Sequence, residues 1–101
     1  MTKIEFLDRF QALSGTLAGD FYDGSDDDEL IAAQAVREFG VPSLARLIDE
    51  TREALGLIDV AWEAVADLAN RNFTGPAMTR DWLRRMLEIW ERALRAKTDG
   101  R

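Results

Sequence analysis

The sequence predicts an all-α protein, a compact single-domain bundle of four or five amphipathic helices spanning residues 1–101. Three observations lead to this prediction. Apolar residues recur every three or four positions along most of the chain, which is the spacing of one buried helix face. Serine, threonine, glycine and proline stand between these segments, where helices begin and end. No stretch alternates apolar and polar residues for long enough to predict a strand.

The first two helices are predicted from their caps. Thr2 and Glu5 have the spacing of a capping box at the start of the first helix. The buried face of that helix is expected to consist of Ile4, Leu7, Phe10 and Leu13. A second helix is predicted over residues 26–39, with Ser25 as its N-cap and Gly40 at its end. Its inward residues are expected to be Leu30, Ile31, Ala35 and Phe39.

Three further helices follow. Pro42 suits the first turn of the third helix and Gly56 its end, and the fourth is predicted over residues 58–70. A loop precedes the last helix, which is expected to begin with Thr79 as its cap and to fray over residues 97–101. The buried residues of these three helices are expected to be Leu44, Leu47, Ile48 and Leu55; Ile58, Ala61, Trp62, Val65 and Ala69; and Trp82, Leu83, Met86, Leu87, Trp90 and Leu94. The three tryptophans are therefore interpreted as core residues.

The composition limits the chemistry of the protein. The chain has no cysteine and no histidine, so it lacks a thiol nucleophile, the commonest general base and the commonest zinc ligands. We expect a protein that is not an enzyme, has no catalytic residues, and needs neither a cofactor nor a metal. No apolar run is long enough for a transmembrane helix, and Glu5 and Asp8 interrupt the region where a signal peptide would be apolar. We therefore expect a cytoplasmic protein that does not bind a membrane.

The net charge of −6 comes from the first third of the chain. Residues 23–29, DGSDDDE, place five carboxylates in seven positions. The spacing does not fit a calcium-binding loop, because that loop needs glycine and glutamate where this sequence has Asp28 and Gln34. One or two acids after Ser25 would stabilise a helix N-terminus. The larger number favours an additional role, the recognition of a basic partner.

We name as candidate partner-binding residues Asp20, Tyr22, Asp23, Asp26, Asp27, Asp28 and Glu29. The six carboxylates among them are called the acidic cluster below. The alternative that they only start a helix remains open at this stage.

The C-terminal arginines have two interpretations. Arg84, Arg85, Arg92 and Arg95 form either a basic patch or one half of a set of ion pairs within the helix. The second is favoured, because the acids precede their arginines by four residues in the pairs Asp81–Arg85, Glu88–Arg92 and Glu91–Arg95. Direct binding of nucleic acid is therefore not expected.

Three motifs within residues 15–95 resemble the immunity proteins of bacterial contact-dependent growth inhibition systems. They are an aromatic–acidic stretch, an inward glutamate and a turn that opens the last helix: Phe21, Tyr22 and Asp23; Glu50 or Glu53; and Arg80, Trp82 and Leu83. One departure from the family pattern is Gly24 and the acidic run after it, where a second aromatic–acidic pair is usual.

The resemblance implies a cytoplasmic, non-catalytic inhibitor. Such a protein binds the C-terminal toxin domain of a large exported effector, commonly a nuclease with a basic surface, and blocks its active site. Two alternatives stay open: a small acidic adaptor or antitoxin-like regulator of another basic protein, and a helical nucleic-acid-binding domain that uses the C-terminal arginines. The sequence does not indicate an oligomeric state.

Overall fold

In residues 1–25 and 27–99, which the computed structural model describes, the chain forms six α-helices and one π-helical segment. They are α1 (Lys3–Arg9), α2 (Gln11–Thr16), the π-helix (Leu17–Phe21), α3 (Asp28–Ala35), α4 (Val41–Leu55), α5 (Ile58–Ala69) and α6 (Pro76–Asp99). These ranges contain no strand, so the all-α prediction is confirmed. The predicted four or five helices become six because the N-terminal segment is broken at Phe10.

The break at Phe10 also changes which residues the N-terminal segment buries. The capping box is present, with Glu5 N–H donating to Thr2 Oγ1 at 3.1 Å and Thr2 N–H donating to Glu5 Oε1 at 2.9 Å. Ile4 and Leu7 were expected to be buried, but they are 72% and 38% exposed. Phe6 is buried instead, with its ring centroid 4.9 Å from that of Phe10, and Phe10 and Leu13 are buried as predicted. The predicted buried face assumed one continuous helix. Because α1 ends at Arg9, the apolar spacing of that longer helix does not apply.

Glu50 of α4 supplies the cap that α2 lacks in its own sequence. Phe10, the N-cap residue of α2, makes no side-chain capping hydrogen bond. Instead, Leu13 N–H donates to Glu50 Oε1 at 3.0 Å, and Arg46 Nε donates to Glu50 Oε2 at 2.9 Å. One inward glutamate was expected, either Glu50 or Glu53, and it is Glu50, whose side chain is 12% exposed. Glu53 is 51% exposed and pairs with Arg9 at 2.7 Å.

Helix α3 is shorter than predicted at both ends. Its N-cap is Asp27 and not Ser25, because the Asp27 carboxylate accepts the Glu29 N–H at 2.8 Å. The helix ends at Ala35 and the next residues form a turn, so Gly40 becomes the N-cap of α4. The burial pattern shifts accordingly: Ile31, Ala32 and Val36 are buried, Ala35 and Phe39 are partly buried, and Leu30 is 48% exposed.

The last three helices follow the sequence pattern closely. Pro42 lies in the first turn of α4, and Gly56 caps its end. Helix α6 begins at Pro76, before Thr79, because the Thr79 hydroxyl is buried and donates to the Gly75 carbonyl at 2.9 Å. It extends to Asp99, and residues 100–101 lie outside the described part of the chain.

Helix α6 is the central element, packing against α3, α4 and α5. The core draws residues from every helix, and Trp90 is fully buried, with its Nε1–H donating to the Ala32 carbonyl at 3.1 Å. The radius of gyration of 12.8 Å is that of a compact chain of this length. Residues that were predicted to be buried and are buried include Phe10, Leu47, Trp82, Leu87 and Trp90.

Trp62 is the exception among the tryptophans. It was predicted to be buried, but it packs against the edge of the core and is only partly buried, as are Leu55 and Leu94. Ala61 and Val65 occupy the centre of the buried face of α5. Within the described residues, none of the helices combines the length and apolar content needed to cross a bilayer.

The capping role of Glu50 leads to a stability prediction. Replacing Glu50 with alanine leaves the Leu13 amide without its acceptor, and we expect a loss of about 1–3 kcal/mol in the free energy of unfolding. Glu50→Gln keeps an acceptor oxygen and should retain most of that stability. Urea unfolding followed by circular dichroism measures both variants.

The matched control is Glu53→Ala, which removes a half-exposed ion pair and should cost at most about 0.5 kcal/mol. Equal destabilisation by the alanine variants at positions 50 and 53 would contradict the capping role.

Candidate functional site

The structure divides the acidic cluster into one inward-facing carboxylate and a set of outward-facing ones. Asp28 is the first residue of α3, and its side chain is 25% exposed. It accepts hydrogen bonds from Arg71 Nη2 at 2.6 Å, from Arg71 Nε at 3.2 Å and from Trp82 Nε1 at 2.7 Å. Asp28 was predicted to be a partner-binding residue, and in the structure its carboxylate is engaged by these contacts within the protein.

Arg71 follows the end of α5 and is held in place by its backbone surroundings. The preceding residue, Asn70, has the left-handed conformation (φ 56°) that ends the helix. The Arg71 Nη1 group donates to the carbonyls of Phe21 at 3.1 Å and Ala69 at 2.8 Å. The Asn70 side-chain amide donates to the Tyr22 carbonyl at 3.2 Å. The start of the α5–α6 loop is therefore bonded to the end of the π-helix as well as to α3.

Aromatic packing supports the same junction. The rings of Phe21 and Trp82 meet edge to face with centroids 5.1 Å apart, and Phe73 lies 5.4 Å from Trp82. The Arg71 guanidinium lies 5.9 Å from the centre of the Phe21 ring. Burying these rings fixes the indole N–H that donates to Asp28. Two of the motifs that resemble immunity proteins, those of Phe21 and Trp82, are thus in direct contact.

The protein environment lowers the pKa of Asp28. Partial burial acts in the opposite direction and would raise this pKa. The hydrogen bonds from Arg71 and Trp82, together with the charges of Arg71 and Arg85, outweigh the effect of burial. Asp28 therefore stays ionised in the folded protein at neutral pH.

The outward-facing residues are Asp20, Tyr22, Asp23, Asp27 and Glu29. Asp20 and Asp23 are exposed, and Tyr22 between them is 47% exposed. Desolvation by neighbouring atoms raises the pKa of Asp20, although the residue as a whole remains accessible. Asp27 caps α3 and is exposed as well. Asp26, another predicted partner-binding residue, lies outside the described residues.

Gly24 lies close to both α3 and the π-helix. A Cβ atom at this position would lie 2.6 Å from Ile31 Cδ1 and 3.0 Å from the Asp20 carbonyl oxygen. A larger residue at position 24 would require Ile31 or the Asp20 backbone to shift, so glycine suits this close approach. We call the exposed residues Asp20, Asp23 and Asp27 the outer acids.

A cleft of about 380 Å³ lies next to this junction. Its apolar lining comes from Phe73, Met78 and Trp82, and its charged lining from Asp28, Arg71, Asp81 and Arg85. The sequence does not indicate this cleft, because Arg71 and Phe73 belong to a segment whose composition is typical only of a loop. The one available signal was a lone arginine between two apolar helices.

The ion pairs of α6 differ from those predicted. Among the described residues, Arg85 lies 3.6 Å from Glu29 and does not pair with Asp81. In the same part of the chain, Glu91 pairs with Arg52 of α4 at 2.5 Å and not with Arg95. Glu88–Arg92 is likewise not among the ion pairs of the described chain. Contacts between helices replace the pairs within α6, because α6 is packed on several sides by acid-bearing helices.

The described residues contain no group of three or more acids that could hold a metal ion. The exposed carboxylates and the cleft beside Trp82 offer charge and aromatic surface for recognition.

The bonds of Asp28 lead to a second stability prediction. Asp28→Asn removes the charge that Arg71 and Trp82 share, so we expect a loss of about 2 kcal/mol in the free energy of unfolding, as is usual for a hydrogen bond to a charged group. Asp27→Asn is the matched control, since asparagine caps helices as well as aspartate and should change stability by less than about 0.5 kcal/mol. Urea unfolding at pH 7 measures both. A harmless Asp28→Asn change would contradict the structural role.

The lowered pKa of Asp28 also predicts a pH dependence. Because the folded-state pKa lies below the unfolded one, the stabilisation is complete above the ordinary aspartate pKa of about 3.9 and is lost as the pH falls further. The difference in unfolding free energy between wild type and Asp28→Asn should be constant from about pH 7 to pH 5 and shrink below about pH 4. Urea unfolding at a series of pH values tests this, and a difference as large at pH 3 as at pH 5 would contradict it.

No family model, curated protein or solved structure matches this chain. The resemblance to immunity proteins stays a prediction from the three motifs.

Proposed function

We propose that this protein is an immunity protein of a contact-dependent growth inhibition system. In this proposal it binds the C-terminal toxin domain of the effector in the cytoplasm and neutralises it by covering the active site. The observation that carries the proposal is the arrangement of the outer acids. Asp20, Asp23 and Asp27 are all exposed, as is Tyr22 among them, and they lie within eight consecutive positions of the chain.

The charge distribution supports a basic partner. The outer acids belong to the first third of the chain, which carries the entire net charge of −6. Carboxylates grouped in this way raise the encounter rate with a positively charged surface and oppose contact with an acidic one. A toxin that binds the phosphates of nucleic acid presents lysine and arginine side chains, and we propose that the outer acids take the place of those phosphates.

We propose that fewer than the seven candidate residues make this contact. Asp28 is left out of the exposed contact surface, because its carboxylate accepts hydrogen bonds from Arg71 and Trp82. Glu29 lies 3.6 Å from Arg85, which partly neutralises it. The proposed contact surface therefore consists of the outer acids and Tyr22, whose exposed ring is suited to an interface.

The resemblance supports the proposal in a different way. Phe21 and Trp82, which belong to two of its three motifs, are buried and in contact, while Glu50 caps the helix that leads into the π-helix. On this interpretation the shared motifs stabilise a scaffold. The exposed residues beside them are then free to differ between immunity proteins with different toxins.

The test is the association rate with the toxin domain encoded next to the gene for this protein. The variant Asp20→Asn/Asp23→Asn/Asp27→Asn removes three charges and keeps the α3 cap, since asparagine is an N-cap residue. We expect it to associate about tenfold more slowly than wild type at low salt, because steered association is 10–10³ times faster than unsteered. The difference should shrink towards physiological salt, where the Debye length falls to about 8 Å. Stopped-flow mixing over a series of salt concentrations measures it.

The matched control is Asp8→Asn/Glu38→Gln/Glu88→Gln, which removes the same net charge from exposed positions outside the acidic cluster. It should associate nearly as fast as wild type. Equal slowing by the two triple variants would show that only net charge matters and would contradict a contact surface at the outer acids. A toxin domain that does not bind the wild-type protein would reject the immunity function itself.

A further inference from the structure

We infer that the cleft beside Trp82 receives one lysine or arginine side chain of the partner and anchors the complex there. This inference rests on the proposed function, since it assigns a second contact to the same toxin-binding face. It adds a site whose residues, apart from Asp28, lie in the α5–α6 loop and in α6, outside the acidic cluster.

The apolar lining of the cleft suits the stem of a long side chain. Phe73 and Trp82 contribute two rings whose centroids lie 5.4 Å apart, and Met78 is 49% exposed beside them. A methionine side chain adapts its shape to what it contacts. Lysine and arginine bury their methylene stems against apolar surface while their charged ends remain hydrated or paired. Aromatic rings also attract a cation placed over their faces.

The charges of the lining favour a cation over an anion. Each of the three nitrogens of the Arg71 guanidinium already donates to a protein acceptor, either Asp28 or a backbone carbonyl. Arg85 lies beside Glu29. Asp81 is exposed, and among the described residues no cation lies within ion-pair distance of it. An incoming ammonium or guanidinium group therefore finds an exposed carboxylate with no cation beside it in the described chain, whereas the exposed cation of the lining, Arg85, already lies 3.6 Å from Glu29.

The surroundings point to the same occupant. The Asp28 carboxylate lines the cleft, and Asp27, one of the outer acids, immediately precedes it in the chain. A partner side chain that reaches the cleft thus comes from the surface that faces the outer acids, and that surface is expected to be positively charged. Anchors of this kind, seated in a pocket and shielded from water, dominate the binding energy of many interfaces.

Filling the cleft is the direct test. Met78→Trp places an indole in the cleft from an exposed position, and Val60→Trp adds the same group at an exposed position of α5 outside the cleft lining. With the toxin domain as the probe, we expect Met78→Trp to weaken binding by about tenfold or more, mainly through faster dissociation. Val60→Trp should change the dissociation constant by less than about twofold. Equal binding by the two variants would overturn the inference, provided that both melt within a few degrees of wild type.

A double-mutant cycle identifies the occupant. Asp81→Asn should weaken binding by several-fold, and changing one lysine or arginine of the toxin to alanine should abolish that effect. Lack of coupling between Asp81 and every lysine and arginine of the toxin interface would overturn the choice of a basic side chain. Failure of the wild-type protein to bind the toxin rejects the proposed function, whereas normal binding with insensitivity to Met78→Trp rejects only the anchor.

Discussion

The carboxylate of Asp28 joins three parts of the chain that are far apart in sequence. It accepts hydrogen bonds from Arg71, 43 residues further along the chain, and from Trp82, 54 residues further along. Placing a carboxylate at the first residue of α3 is favourable in itself, because the helix dipole is positive there. Partial burial would be costly for an unpaired charge, and the two donors offset that cost. The positions of α3, the α5–α6 loop and α6 relative to one another depend on this set of bonds.

This constraint separates structure from recognition within one short acidic segment. Asp28 fixes the segment to the fold, and Gly24 keeps the preceding loop close to α3 and the π-helix. Residues next to the outer acids in the chain, Tyr22 and Asp28, are hydrogen-bonded to the α5–α6 loop. A surface that is ordered before binding loses less entropy when it binds. In the proposed function, the internal hydrogen bonds of Asp28 therefore favour binding of the toxin by the outer acids. Asp28 itself is not one of these acids.

Most of the fold follows from local sequence, and the exceptions have a common cause. The apolar period of α4, α5 and α6 predicts their buried faces because each runs for three or more turns without interruption. The N-terminal segment departs from its period at Phe10, and α2 is capped by Glu50, 37 residues away. A pattern within one segment cannot show a bond to another segment. The same limit hid the role of Arg71, whose acceptors lie on the π-helix and on α3 as well as beside it.

The outer acids would act on a partner at a distance through their charge, whereas the cleft would act only on contact. This difference affects how an acidic inhibitor selects its toxin. Charge acts over about 8 Å at physiological salt and speeds the approach of any basic surface, so by itself it separates nucleases poorly from other basic proteins. Specificity is a difference between two affinities, and it requires a contact that wrong partners fail to make. A cleft that accepts a side chain between Met78 and Trp82 and places its charge near Asp81 imposes such a requirement. A basic protein without a side chain at the matching place would meet the outer acids, leave the cleft empty and dissociate quickly.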